Sequence, residues 1–469
     1  MPHDADQFQQ QLTDRFPWWK SLCRRAVDSG RELYLVGGSL RDLVLQRPLA
    51  DLDFACRNDD LDHWAALIGD LLGSHFFTMG KDGLITRRTV REDLVIDLTP
   101  LAGATIFQDL KHRDFTFNAM ACGLHDHSFH DPFGGQRALA ERQVISVAPE
   151  SLINDPLRVL RAARFAVELD CSLPPATREM MTAAAPGLSS VAGERIGAEC
   201  HRIMSHPRAH RGLRFLLDCG ALPVLFPPLG ALANLEQNEF HHLDVLEHTM
   251  LALEKLDALL AAPPFPEIEL QPGEEAIVRW AALFHDTGKA MTRSVDPETG
   301  KVHFYGHERF SAHLAGELLA PLGLGKQTCG RITALVEHHL APLLLTFGEP
   351  KAKTRRKLVF TLGENLPLLL LLALADTEAA AGRDFARRRQ RLQTVCTDLL
   401  TIYRQERASF VKPLVNGKDL LALGLPPGPG MGRIIRTIHQ LQIDGECRSR
   451  EEALAMAREL VAAAIPPAD

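Results

Sequence analysis

The segment Leu33-Tyr-Leu-Val36-Gly37-Gly38-Ser39-Leu40-Arg41-Asp42 joins a strand-like apolar run to a helix through a glycine pair. Backbone N–H groups at such a helix start suit a triphosphate, and Arg41 adds a charge-assisted contact. Nine residues after Asp42 comes Asp51-Leu52-Asp53. In a strand, residues two apart project from one face, so these carboxylates repel unless a cation sits between them. Their natural use is to hold Mg²⁺ against a nucleotide's phosphates and an attacking hydroxyl. A third acid, Asp97, lies in Leu94-Val-Ile-Asp97-Leu98 with apolar neighbours. It is expensive to bury there unless it is paired or metal-bound. Taken alone, a glycine turn before a helix is a common device, and Asp-x-Asp reads as a solvated turn. In this order the three point to metal-assisted phosphate chemistry.

Working outward, LYLVGG (33–38), LDFAC (52–56) and DLVIDL (93–98) are the strand-like segments, all before about residue 136. Beyond it, Ala- and Leu-rich stretches at helical period run to the end, broken by Pro/Gly turns. The fold class expected is therefore α+β: a small mixed-sheet head followed by a long all-helical body. The 469 residues can bury a sizeable core. Their formal net charge of −7 excludes a globally basic nucleic-acid binder but not a local cationic surface. The polar N-terminus shows no apolar signal region. The longest apolar run, Leu366–Ala375, contains Pro367 and is shorter than the ~20 residues a spanning helix needs. No membrane partner is expected. Nine scattered cysteines without a Cys-x-x-Cys pair read as free thiols, and the localisation expected is cytoplasmic.

Three further motifs complete the head and neck. They are Arg113-Asp114-Phe-Thr-Phe-Asn118, Asp131-Pro-Phe-Gly134-Gly135 and Asp155-Pro-Leu-Arg158-Val-Leu-Arg161-Ala-Ala-Arg164-Phe165. With Gly37–Asp42 and Asp51/Asp53, the series resembles the bacterial-type tRNA nucleotidyltransferases and poly(A) polymerases of the polymerase-β-like superfamily. The resemblance implies a polymerase-β-like head that moves nucleotides from CTP or ATP to an RNA 3′ end without a nucleic-acid template. It implies catalysis by Asp51, Asp53 and Asp97 with Mg²⁺, and nucleotide contacts from Gly37, Gly38, Ser39, Arg41, Asp42, Arg113, Asp114, Asn118, Asp155, Arg158, Arg161 and Arg164. The last motif also reads physically. Asp155-Pro156 suits the N-cap and first turn of a helix, along which Arg158, Arg161 and Arg164 fall on one side. Asp155 and Arg158 could hydrogen-bond the Watson–Crick edge of cytosine or adenine. The family's usual Glu before this Asp is Asn154 here. Between Asp97 and Arg113 only Leu98–His112 intervenes, fifteen residues, much of it leading into a helix. The resemblance implies a mobile loop of roughly twenty residues there in enzymes adding all of CCA, so CC-only addition is an open alternative. Poly(A) synthesis is the other, although the basic segment typical of those polymerases is not evident.

The body carries a second constellation: His248, the adjacent His285-Asp286, His307, His338-His339 and Asp376. Imidazole and carboxylate suit divalent transition metals. A lone His on an apolar helix is usually a core residue, but His-Asp inside the apolar Trp280–Phe284 run is harder to dismiss. The set resembles an HD-type phosphohydrolase domain, which implies a metal site for Mn²⁺, Ni²⁺ or Co²⁺. Lys289 would be a phosphate contact, and nucleotide or RNA-end phosphates the substrates. The organisation expected is head 1–135, helical base- and RNA-binding neck 136–240, HD domain 241–380 and helical RNA-binding tail 381–469. The basic runs 351–357 and 383–391 are candidate phosphate contacts. The partners expected are a tRNA or other RNA 3′ end with CTP and ATP, the oligomeric state being open. A different possibility makes hydrolysis the main activity, with the head as an RNA-binding module.

Overall fold

The computed structural model describes residues 5–80, 85–237, 243–266, 268–348, 351–380, 385–410, 413–447 and 449–464. The chain divides into two compact units, one of residues 1–203 and 212–225, the other of 204–211 and 226–469.

The first unit is built on one seven-stranded sheet. Its strands are β1 (Leu33–Val36), β2 (Asp51–Cys56), β3 (Phe77–Met79), β4 (Thr86–Arg91), β5 (Leu94–Pro100), β6 (Ala121–Gly123) and β7 (Phe129–His130). They lie in the order β3-β4-β5-β2-β1-β6-β7, with β2 and β5 parallel and every other pair antiparallel. The sheet is mixed, as expected. All four residues of β1 are buried, which is why it reads as an unbroken apolar run. β2 is exposed at Asp51 and buried from Phe54 onward, so its acids stand at the rim of the sheet. The register sets Asp53 beside Asp97, and Asp97 beside Arg88 of β4. Trp64, Ile68 and Leu72 of the helix Leu61–Leu72 are buried where it packs on β4 and β5.

The second unit is helical but not entirely so. A short antiparallel hairpin, β8 (Ser294–Val295) and β9 (Val302–His303), interrupts it. The all-helical expectation missed this pair because each strand is two residues long. The helix Leu366–Ala380 is buried almost throughout, packed against Val245–Ala261, Glu274–Phe284, Lys326–His338 and Phe385–Phe410. Together with Ala352–Leu362 it forms the stretch 352–380, long and apolar enough by length and composition to cross a membrane. Its leucines from Leu366 to Leu372 are instead 0% exposed and make the centre of this unit. The Gly/Pro-rich segment 414–432 contains the helix Gly417–Ala422, fixed by a reciprocal Asn416/Asp419 cap, and the start of Pro429–Asp444.

Candidate active site and metal centre

Gly37 ends β1 with φ +69°, a left-handed conformation that favours glycine. A Cβ there would lie 2.8 Å from Arg113 Nη1 and 3.4 Å from Asp53 Oδ2. Ser39, buried at the start of the helix Gly38–Val44, ties that helix to β2. Its Oγ accepts from Asp53 N (2.9 Å) and donates to Asp51 O (3.3 Å). The glycine turn and the Asp-x-Asp pair are thus one local assembly.

Around it lies a cavity of about 480 Å³ lined by Gly37, Gly38, Asp51, Asp53 and seven arginines: 41, 113, 158, 161, 164, 195 and 202. Three of these arginines, Arg41, Arg161 and Arg164, are held in a relay of alternating partners. Arg41 chelates Asp42 through Nε and Nη2 (3.0 and 2.9 Å) and donates from Nη1 to Asn118 Oδ1 (2.9 Å). Asn118 donates to Asp114 (2.9 Å), and Asp114 accepts from Arg161 Nε (2.8 Å). Arg161 reaches Glu199 at 3.5 Å, and Arg164 donates to Glu199 and Glu168, each at 2.6 Å. Phe165 sits among three guanidiniums, with Arg164 4.0 Å, Arg41 5.2 Å and Arg161 5.5 Å from its ring centre. Burial alone would raise the Asp114 carboxyl. The Arg161 charge and hydrogen bonds from Asn118, Arg161 and the Phe115 N–H outweigh it and hold the group below the ordinary range.

The three arginines expected as nucleotide contacts along one helix all line this cavity, and each is also held by partners within the fold. Arg164 is 4% exposed and serves the relay, and Arg161 is largely committed to Asp114 and Glu199. Arg158 donates to the carbonyls of His112 (2.7 Å), Arg113 (3.2 Å) and Ser151 (3.4 Å) and to Ser151 Oγ. The helix begins at Leu157, with Pro156 at its cap, so Asp155 does not cap it. Its carboxylate instead faces Arg195 (3.4 Å) and Arg158 Nε (3.9 Å). Asn154 is exposed. Asp109, Glu199, Arg195 and Arg202 went unnoticed in the sequence. Asp109 anchors Arg113 through Nε at 3.0 Å, a contact that i, i+4 spacing could have suggested. Glu199 pairs across more than thirty residues and carries no local signal.

At the carboxylates, burial pushes Asp53 up to about 6. Arg113 opposes the shift, while the charges of Asp97 and Asp51 add to it. An Asp53 carboxylate that resists ionising without a counter-charge, with Asp51 beside it on the strand, fits a hard divalent cation, whose remaining ligands would be water and phosphate. Asp97 is not free to join as it stands. Arg88 grips both its oxygens, Nε to Oδ1 at 2.7 Å and Nη2 to Oδ2 at 2.6 Å.

The second unit brings together His248, His285, Asp286, His307, His339 and Asp376. Three of the histidines share one device. The Nδ1 of His285, His307 and His339 each lies 2.7 Å from the carbonyl three residues earlier, Ala282, Phe304 and Val336. Donating there leaves every Nε2 as a lone pair aimed inward. His307 and His339 meet Nε2 to Nε2 at 3.3 Å, and the enclosed His285 Nε2, although 3.2 Å from Asp286 Oδ2, makes no well-aligned hydrogen bond among the described residues. Opposed lone pairs and an orphaned imidazole nitrogen fit a bound cation. Asp286 spans two ligand sets: Oδ2 faces His285 (3.2 Å) and His248 (3.9 Å), and Oδ1 faces His307 (3.3 Å) and His339 (3.9 Å). Asp376 Oδ1 lies 2.9 Å from His248 Nε2. His338 is corrected out of this set. It ends the helix Lys326–His338 half-buried and joins no metal-like cluster among the described residues, whereas His339 is 1% exposed at the centre. Lys289 Nζ is bound to Asp286 (2.7 Å) and Gln237 (2.7 Å).

Of the basic runs, Arg355 and Arg356 pair with Asp398 (3.5 Å) and Glu406 (2.8 Å), while Arg387, Arg389 and Arg391 are exposed. Arg383 lies outside the described residues. All nine cysteines are free.

Four family models match the chain. They are the poly A polymerase head domain (84–145), the "Probable RNA and SrmB- binding site of polymerase A" (171–232), the HD domain (240–381) and tRNA nucleotidyltransferase domain 2 (371–457). Among relatives, an A-adding tRNA nucleotidyltransferase of Deinococcus radiodurans is 34% identical, over 90% of this chain and 94% of that protein. A CC-adding tRNA nucleotidyltransferase of Thermus thermophilus is 33% identical, over 91% and 93%. In fold, the chain resembles a CCA-adding enzyme in its apo form, with TM-score 0.63, 21% identity and 95% of each chain covered. It likewise resembles the Thermotoga maritima CCA-adding enzyme complexed with tRNA, with TM-score 0.60, 20% identity and 95% of each chain covered.

Proposed function

The chain belongs to the tRNA nucleotidyltransferase family and carries an HD domain, and from that premise we propose that it adds C, A or both, from CTP and ATP, to the 3′ end of tRNA. The observation that carries this is the single assembly of glycine turn, Asp51/Asp53 and arginine-lined cavity. Both domain types imply divalent metals. We assign Mg²⁺ to Asp51 and Asp53, where it would neutralise phosphate charge and activate the attacking hydroxyl. The chain's own groups do the rest. The Gly37–Ser39 turn offers backbone N–H groups, Arg41 and its neighbours hold the triphosphate, and Asp155 with Arg158 lies where a base edge would be read. The primer 3′ oxygen bonds to the α-phosphorus as the bond to pyrophosphate breaks, and the hydroxyl proton passes to solvent. A cytoplasmic setting suits this substrate and the free thiols.

One observation favours a restricted product. β5 runs to Pro100 and a helix spans Ile106–Lys111, leaving only 101–105 and His112 outside regular structure before Arg113. A connection this short favours CC-only addition. The test is incorporation of each labelled nucleotide, singly and in pairs, on tRNA lacking its 3′ end. Products ending in CCA reject the restriction, and no incorporation rejects the transferase assignment.

The inward-facing imidazoles support a second activity: metal-dependent hydrolysis of nucleotide or RNA-end phosphates with Mn²⁺, Ni²⁺ or Co²⁺. Lys289 would shift from Asp286 to substrate phosphate. Inactivity of the full chain on such phosphates with each metal would remove this proposal.

A further inference from the structure

A second cavity, of about 450 Å³, adjoins the first. Asp53 and Arg113 line both, and they have no other lining residue in common. The first holds the glycine turn and the arginine relay. The second is lined by Arg88, Asp97, Thr86, Met79 and Phe54. In-line displacement places the attacking and leaving oxygens on opposite sides of the phosphorus. If the triphosphate fills the arginine-rich cavity, attack comes from the other space that opens on Asp53.

Arg88 gives that space a phosphate-binding edge. Its Nε and Nη2 are spent on Asp97 in a two-point grip across β4 and β5. That grip orients the planar fork and, among the described residues, leaves the Nη1 edge for another acceptor. The side chain is 36% exposed, open enough to meet a ligand. Asp53, Asp97 and Arg88 form one row across three neighbouring strands, so the cation stands two strands from the reacting centre.

We propose that the second cavity receives the 3′-terminal nucleotide of the RNA primer, that Arg88 binds a backbone phosphate there, and that Asp97 is a positioning residue for Arg88 rather than a ligand of the catalytic metal. This rests on the transferase reading above. It gives the third acid a partner within the fold, in place of the metal role its sequence position suggested.

The experiment is steady-state incorporation by the full chain on truncated tRNA, comparing Arg88→Ala, Arg88→Lys, Asp97→Asn and the double variant Arg88→Ala/Asp97→Asn. Arg88→Ala should raise KM for tRNA about ten-fold or more while KM for the nucleotide stays unchanged. It should also flatten the log–log salt dependence of tRNA binding by about 0.7 to 0.9. Arg88→Lys should recover part of the loss. The double variant should be no worse than Arg88→Ala, because the pair acts as a unit. The Mg²⁺ concentration giving half-maximal rate should not move in Asp97→Asn. A raised Mg²⁺ requirement in Asp97→Asn, or an unchanged tRNA KM in a folded Arg88→Ala, overturns the proposal. If the unaltered chain incorporates nothing, the transferase reading itself has failed.

Discussion

At Gly37 the left-handed backbone and the close approach of Arg113 and Asp53 leave no room for a side chain. Gly37→Ala adds about 1–2 kcal/mol of backbone strain and displaces Arg113 from the edge of both cavities. Incorporation should fall by at least ten-fold with near-normal circular dichroism, and full activity would contradict the packing. Asp53→Ala should abolish incorporation while RNA binding persists, measured by labelled nucleotide transfer and filter retention. Asp114 gives a pH signature. Its folded-state carboxyl lies below the unfolded value of about 3.9, so its contribution is complete above that value. It is lost as pH falls through the folded value. Asp114→Asn should therefore flatten the acid side of stability, read by urea unfolding between pH 3 and 7. The glycines and paired acids were legible in the sequence because their chemistry is local. The partners were not. Nothing adjacent to Asp97 announces Arg88, and nothing near Arg164 announces Glu199.

Among the elements, β1, β2 and β5 could be read from their apolar residues: β1 is buried throughout, and β2 and β5 bury Leu52, Phe54, Ile96 and Leu98. β4, Thr-Arg-Arg-Thr-Val-Arg, is mostly polar and half exposed, and its place in the sheet comes from pairing with β5 rather than from its own pattern. The helix Leu157–Glu168 is legible from its spacing, but the partners of its arginines are not. Three arginines at helical spacing look like a solvated stripe until Gly193–Met204 supplies Glu199. That acid, 7% exposed, joins the two helices through Arg161 and Arg164. Glu199→Ala leaves Arg164 buried with only Glu168, at a cost of about 3 kcal/mol. Chemical denaturation of the transition that reports the first unit should show it, and a loss under 1 kcal/mol would mean that Glu168 alone compensates. The adjacent His338 and His339 show the same limit. A helix end presents neighbouring residues about 100° apart, so only one can face the centre. Their order cannot reveal which.

For the whole molecule, a net charge of −7 and an RNA substrate are reconciled by where the charges lie. The arginines converge on one cavity of the first unit, while buried acids neutralise them in pairs and so fix their geometry. The second unit draws its histidines and acids into a centre that a cation would neutralise. Each compact unit thus carries one centre made wholly of its own residues, at 37–202 in the first and 248–376 in the second. Two chemistries so separated should fail separately. Asp53→Ala should lose nucleotide incorporation and keep metal-dependent phosphate release. His339→Ala should do the reverse, and His338→Ala should disturb neither. A chelator should silence both, with Mg²⁺ restoring incorporation and Mn²⁺, Ni²⁺ or Co²⁺ restoring hydrolysis. Parallel assays of the same preparations decide it. Loss of incorporation in His339→Ala, with the first unit still folded, would mean that the two centres are coupled, and each would then have to be explained through the other.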